Sequence, residues 1–276
     1  MKTWIRVTRR SHCPICEKDS WCSVSADLDQ AVCMRVESPK PCKSGGWYHD
    51  LIEPGIQGRR VSFTPVAVPD RLDSPTLTAL ACKYVDQATS LKSLSDLLGV
   101  SVSALERLDV GYDHGNWTFP MRNAHEEIVG IRIRGPISKW SVAGGTNGLF
   151  WPRGVDIKDV VTLLLPEGPT DCAVLLDLGY ASIGRPGCQG CEDMICDLVG
   201  RYRRHVVVVA DNDKPKPLSG GKSFRPGQDG AMKLANAIRP FCSSVKIIKP
   251  IYHKDLRQWR PTRSALDKLI HHARFV

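Results

Sequence analysis

The sequence predicts an α/β chain in three parts: a small metal-stapled β module, a short mixed α+β segment, and a C-terminal domain on a parallel sheet. Three observations carry that expectation. Five of the 11 cysteines fall in the first 42 residues. Helical periodicity begins only near residue 76. Beyond residue 160, unbroken apolar runs alternate with helical stretches, which is how strands covered on both faces read.

Taken in order, residues 1–60 are rich in Cys, Trp and Gly and have no helix-length apolar period. WCSVS and AVCMRV read as a hairpin turning at Asp27-Leu28-Asp29. Residues 66–75 carry two prolines and read as a linker. LTALACKYVDQATSL, SLKSLSDLLGV and SVSALERLDV read as three helices, the last capped by Ser101 or Ser103. WTFPM, EIVGIRIRG and KWSVAGG read as strands. Strands are then expected at VVTLLLP, ASIGRP, HVVVVA and VKIIKP, with helices near 171–178, 190–203 and 229–241. Residues 214–228 read as a polar loop. The implied domains are 1–60, 61–158 and 159–276.

Hydrophobic residues at 42% and charged residues at 24% exclude a largely disordered chain. No apolar run approaches the ~20 residues of a membrane span, and MKTWIRVTRRSHCP lacks the apolar core of a secretory signal, so a cytoplasmic protein is expected. The net charge of +9 divides into +3 over residues 1–60, −1 over 61–160 and +7 over 161–276. A basic C-terminal part suits a polyanion such as nucleic acid.

In such a compartment clustered cysteines point to metal rather than disulfides. Cys13-Pro-Ile-Cys16 can supply two ligands from one tight turn, with Cys33 a third. The fourth is open among His49, Cys42 and Cys22. His49 is favoured over Cys42 because it sits on an expected returning strand, whereas Cys22 reads as a packed thiol within a strand. The second C-x-x-C, Cys188 and Cys191, has no matching pair and reads as incidental thiols.

Glu167-Gly168 follows VVTLLLP directly, and Asp211-Asn212-Asp213 follows HVVVVA. Functional groups of open parallel sheets gather at the carboxyl ends of strands. Three carboxylates gathered there repel one another unless a cation intervenes, and oxygen ligands suit a hard divalent ion, most simply Mg²⁺.

LLLPEGPTDCAVLLDLGYASIGRPG, VVVVADNDK and QDGAMKLANAI together resemble the TOPRIM domain, whose signature is Glu-Gly after one strand and Asp-x-Asp after another. The opening Cys-Pro-x-Cys, and a segment with Phe119, Pro120, Gly130, Arg134, Lys139, Leu149 and Phe150, are similar to DnaG-type primases. The resemblance spans nearly the whole chain and implies a zinc-ribbon-like module, a short core and a TOPRIM catalytic domain. It implies primer synthesis on single-stranded DNA from ribonucleoside triphosphates, with structural zinc and catalytic Mg²⁺ or Mn²⁺. On that reading Asp211 and Asp213 hold the divalent metal, and Glu167 is a ligand or general base. Arg134, Lys139 and Lys214, with Lys216, Lys222 and Arg225, would contact phosphates. Asp255 would be a further acid, and Trp21, Trp47 and Tyr48 would be available for base stacking. With no P-loop in the sequence, a helicase partner would be a separate chain, and the compact build resembles primases of phages and other mobile elements. A TOPRIM nuclease and a non-catalytic zinc/TOPRIM recombination mediator are the alternatives.

Overall fold

The computed structural model describes residues 2–8, 11–42, 45–51, 70–217 and 223–276. The chain divides into two compact units, Met1–Pro69 with Pro217–Lys222, and Asp70–Lys216 with Ser223–Val276. Of the linker expected at 66–75, residues 66–69 lie outside the described residues, and Ser74 and Pro75 already belong to a helix.

In the first unit, β1 (Trp4–Arg6), β2 (Ser23–Ser25), β3 (Gln30–Cys33) and β4 (Trp47–Asp50) form one antiparallel sheet in that order. The β2–β3 hairpin turns where the sequence placed it. Leu28 takes a left-handed φ of 60°, and the Ser25 hydroxyl accepts from Gln30 N at 3.0 Å and donates to Asp29 at 2.8 Å. Among the described residues, the buried core of this unit is Val7, Val24 and Ala31 with Cys13, Cys22 and Cys33. So small a core needs a further stabiliser.

The second unit opens with α1 (Ser74–Gln87), whose first turn is held by the Asp73 carboxylate accepting from Thr76 N at 2.9 Å. α2 (Lys92–Leu98) ends at Gly99 with φ 67°, and α3 (Val102–Arg107) starts at Ser101, whose hydroxyl accepts from Ala104 N. Next come β5 (Gly111–Asp113), β6 (Asn116–Arg122), β7 (Ile128–Arg134) and β8 (Lys139–Ser141), an antiparallel meander that packs on α1.

The later elements alternate as expected: β9 (Thr162–Leu165), α4 (Gly168–Asp177), α5 (Glu192–Gly200) and β10 (His205–Val209). Two short strands follow, β11 (Lys216–Pro217) and β12 (Ser223–Phe224), then α6 (Pro226–Ile238) and β13 (Ser244–Ile248). Two short helices close the chain, α7 (Leu256–Trp259) and α8 (Arg263–His272). β13, β10 and β9 pair in parallel in that order. Leu163 to Leu165 and Val206 to Val209 are all buried, as a sheet covered on both faces requires.

The expected ASIGRP strand is reduced to isolated bridges that nonetheless join the two sheets. Ser182 and Arg185 bridge in parallel to Leu164 and Glu167, Gly184 bridges to Phe150, and Leu149 bridges to Arg122 of β6. Gly184 is required at this crossing, because a Cβ there would meet Gly168 O at 2.6 Å. The antiparallel meander is thereby fixed beside the carboxyl edge of the parallel sheet.

Candidate active site

Parallel pairing brings the ends of β9, β10 and β13 to one edge, and each is followed by an acidic residue. Glu167 follows β9 and stands at the N-cap of α4; Asp211 and Asp213 follow β10; Lys254 and Asp255 follow β13. The same edge opens on a cavity of about 290 Å³ lined by Arg132, Arg134, Lys139, Glu167, Asp171, Asp211, Lys254 and Asp255, with Phe119 and Phe150 among the apolar walls. Arg134 and Lys139 reach it as register partners across the β7–β8 turn.

Backbone donors position three of the acids at this edge. Asp213 accepts from Gly227 N at 2.9 Å, in the first turn of α6. Gly227 cannot carry a side chain, since a Cβ would lie 2.5 Å from Asp211 O. Asp171 accepts from Leu256 N at 2.9 Å and Arg257 N at 3.1 Å, and so fixes the start of α7. Asp255 caps that same turn through Gln258 N at 2.8 Å. Asn212 N donates to Lys254 O at 2.7 Å, which ties the β13 loop to the Asp-x-Asp segment.

Charge is left over. Burial, with Glu167 and Asp171 adding, pushes Asp211 up to about 7. Burial also lifts Asp171 to about 6 despite its two backbone donors. It raises Glu167 against the pull of Arg185, while Asp213 adds to the rise. Glu167 Oε2 is buried with no hydrogen-bond partner. A buried carboxylate oxygen with no partner, coupled electrostatically to Asp211 and Asp213, is the kind of hard oxygen donor that Mg²⁺ or Mn²⁺ takes, although among the described residues only the four cysteines are drawn together as a ligand cluster.

Sequence reading did not single out Arg132, Arg185 or Lys254. Arg185 is 1% exposed and donates to Leu165 O at 3.2 Å and Val209 O at 2.9 Å, a buried cation beneath the acidic edge. Its signal was present: an arginine inside the apolar ASIGRP run demands an anionic or carbonyl partner. Asp213, Lys214, Lys216 and Arg225 do not line the cavity. Lys214 and Lys216 are exposed, and Lys222 lies outside the described residues.

The cysteine cluster corrects the expected ligand set. The sulfurs of Cys13, Cys16, Cys22 and Cys33 lie within 4.8 Å of one another, and neither His49 nor Cys42 belongs to the group. β2 begins at Ser23, so Cys22 stands before the strand rather than within it, and Ser23 pairs with Val32, which sets Cys22 beside Cys33. His49 pairs with Ala31, two residues along from Cys33 and about 6.6 Å away at ~3.3 Å per residue. Its Nε2 lies 3.0 Å from Val36 O. Cys42 interacts with the Tyr48 hydroxyl.

Met34 N donates to Cys22 Sγ and Val36 N to Cys33 Sγ, the donors a thiolate uses. Burial pushes Cys13 up to about 12. Burial also opposes ionisation of Cys16, but the Lys18 N–H and the neighbouring thiols outweigh it and bring Cys16 down to about 7. Four sulfurs at this spacing fit a zinc-binding module.

No known family profile matches the sequence, and no curated protein matches it. Solved structures do. A mixed α/β core with a parallel sheet, preceded by antiparallel strands with four clustered cysteines, is the fold of DnaG-type primases. The Escherichia coli primase catalytic core is similar over 73% of this chain and 80% of its own, at 15% identity and a TM-score of 0.57. A DnaG primase catalytic domain bound to single-stranded DNA is similar over 72% and 80%, at 14% identity and a TM-score of 0.55. The zinc-binding and RNA polymerase domains of Aquifex aeolicus primase are similar over 96% of this chain and 79% of that one, at 12% identity and a TM-score of 0.53.

Proposed function

We propose that this chain is a DNA primase, joining ribonucleotides into short primers on single-stranded DNA. The observation that carries the reading is the convergence of Glu167, Asp211 and Asp213 at the carboxyl edge of a parallel sheet, within a DnaG-like fold. Asp211 and Asp213 hold Mg²⁺ or Mn²⁺, which supplies charge neutralisation for the triphosphate and for the developing oxyanion. Burial makes Glu167 a better proton acceptor than a solvated carboxylate, which suits it to take the proton of the attacking 3′-hydroxyl. Arg134 and Lys139, side by side on the cavity wall, hold phosphates of template or nucleotide.

In the first unit, Cys13, Cys16, Cys22 and Cys33 hold structural zinc. Trp21, 74% exposed, is free to stack on an unpaired base of single-stranded DNA, whereas Tyr48 packs against Trp4 at 5.8 Å.

The test separates catalysis from mere DNA clamping. Asp213→Asn and Glu167→Gln should keep single-stranded DNA affinity within about twofold and lose primer synthesis by at least about two orders of magnitude. Variants that melt early yet keep their specific activity would show these acids to be structural.

A further inference from the structure

Among the described residues, one cation reaches both metal-site aspartates. Lys254 Nζ lies 3.5 Å from Asp211 Oδ2 and 4.0 Å from Asp213 Oδ1. Its backbone is fixed on both sides: Lys254 O accepts from Asn212 N at 2.7 Å, and Asp255 caps the next helix. The side chain is different. It is 53% exposed and lines the same cavity as Arg134 and Lys139. A tethered backbone with a half-exposed, ion-paired ammonium is the build of an arm that can change partner without refolding the loop.

We propose that Lys254 is the resident counter-cation of this site: it neutralises Asp211 and Asp213 when no divalent ion is bound, and swings to the nucleotide phosphates when one binds. The inference rests on the metal-site reading above and extends it to how metal and nucleotide are coupled.

Lys254 and a divalent ion compete for the same carboxylates. A divalent ion sits about 2.1 Å from carboxylate oxygen, and with twice the charge its attraction per oxygen is about threefold that of an ammonium at 3.5 Å. The two cations repel, so the ammonium must leave. Its path leads into a cavity lined by other cations, where burial first, and then Arg134 and Lys254, disfavour a charged Lys139. An ammonium displaced there needs an anion, and a nucleoside triphosphate supplies one. Metal entry alone therefore breaks an ion pair and adds repulsion, whereas metal arriving with nucleotide relieves both. By linkage each ligand should tighten the other.

The experiment uses the full zinc-loaded chain in magnesium-free buffer and counts bound Mn²⁺ by electron paramagnetic resonance, with and without a non-hydrolysable ribonucleoside triphosphate. Lys254→Met should bind Mn²⁺ alone about fivefold to tenfold more tightly than wild type while melting at a lower temperature without metal. The nucleotide should tighten Mn²⁺ binding several-fold in wild type and by less than twofold in the variant. Lys254→Gln, which keeps a polar end without charge, should behave the same way if the methionine variant folds poorly. Unchanged or weakened Mn²⁺ binding in folded variants overturns the role of Lys254 and leaves the metal site standing. A wild-type chain that binds no Mn²⁺ overturns the site and this inference together.

Discussion

Asp211 shows what it costs to gather buried acids at one sheet edge. Its carboxyl is raised to about 7, first by burial and then by Glu167 and Asp171. A group whose proton affinity rises on folding stabilises the fold fully below its unfolded pKa of ~3.9, and that contribution is lost as pH climbs through the folded value. Without divalent metal the melting temperature should therefore fall as pH rises from about 4 to 7. Asp211→Asn should flatten this part of the profile, which differential scanning calorimetry of the two proteins in magnesium-free buffer would read. Parallel profiles would mean that Asp211 carries no such strain. Glu167, Asp211 and Asp213 could be read in the sequence because Glu-Gly and Asp-x-Asp each come straight after an apolar run. Arg185 was signalled by its place in an apolar run, but which acids Arg185 and Lys254 meet is set by pairing between segments distant in the chain.

At the scale of elements, the N-terminal module depends on which sulfur completes the cluster. Cys22→Ser should cut bound zinc from one equivalent per chain to well under half and unfold the antiparallel sheet, because zinc would supply much of the folding energy of so small a core. His49→Ala should retain the zinc. Elemental analysis of both full-length variants decides between them, and zinc loss in His49→Ala alone would restore the histidine as ligand. The hairpin was legible from its turn residues, but a strand boundary shifted by one residue moved Cys22 from packed thiol to cluster member. Among the later elements, β9, β10 and β13 were evident as aliphatic runs. ASIGRP was not realised as a full strand, and β5 and α7 are too short to carry a period; α8 went unread although RSALDKLIHH is amphipathic and Thr262 caps it.

At the scale of the whole molecule, a net charge of +9 suits a polyanionic partner, and among the described residues no helix is long and apolar enough to cross a membrane. The +7 balance of residues 161–276 predicts single-stranded DNA binding dominated by phosphate contacts. Affinity should then fall with salt, each contact adding ~0.7 to the log–log slope, and fluorescence anisotropy across a salt series measures this. A flat response would leave the basic surface without that role. The central claim is tested most directly by incubating the wild-type chain with unprimed circular single-stranded DNA, labelled ribonucleoside triphosphates and Mg²⁺ or Mn²⁺. The account predicts short labelled RNA products that require the divalent ion and vanish in its absence. Nicking of the circle without nucleotide incorporation, or binding with neither reaction, would contradict it.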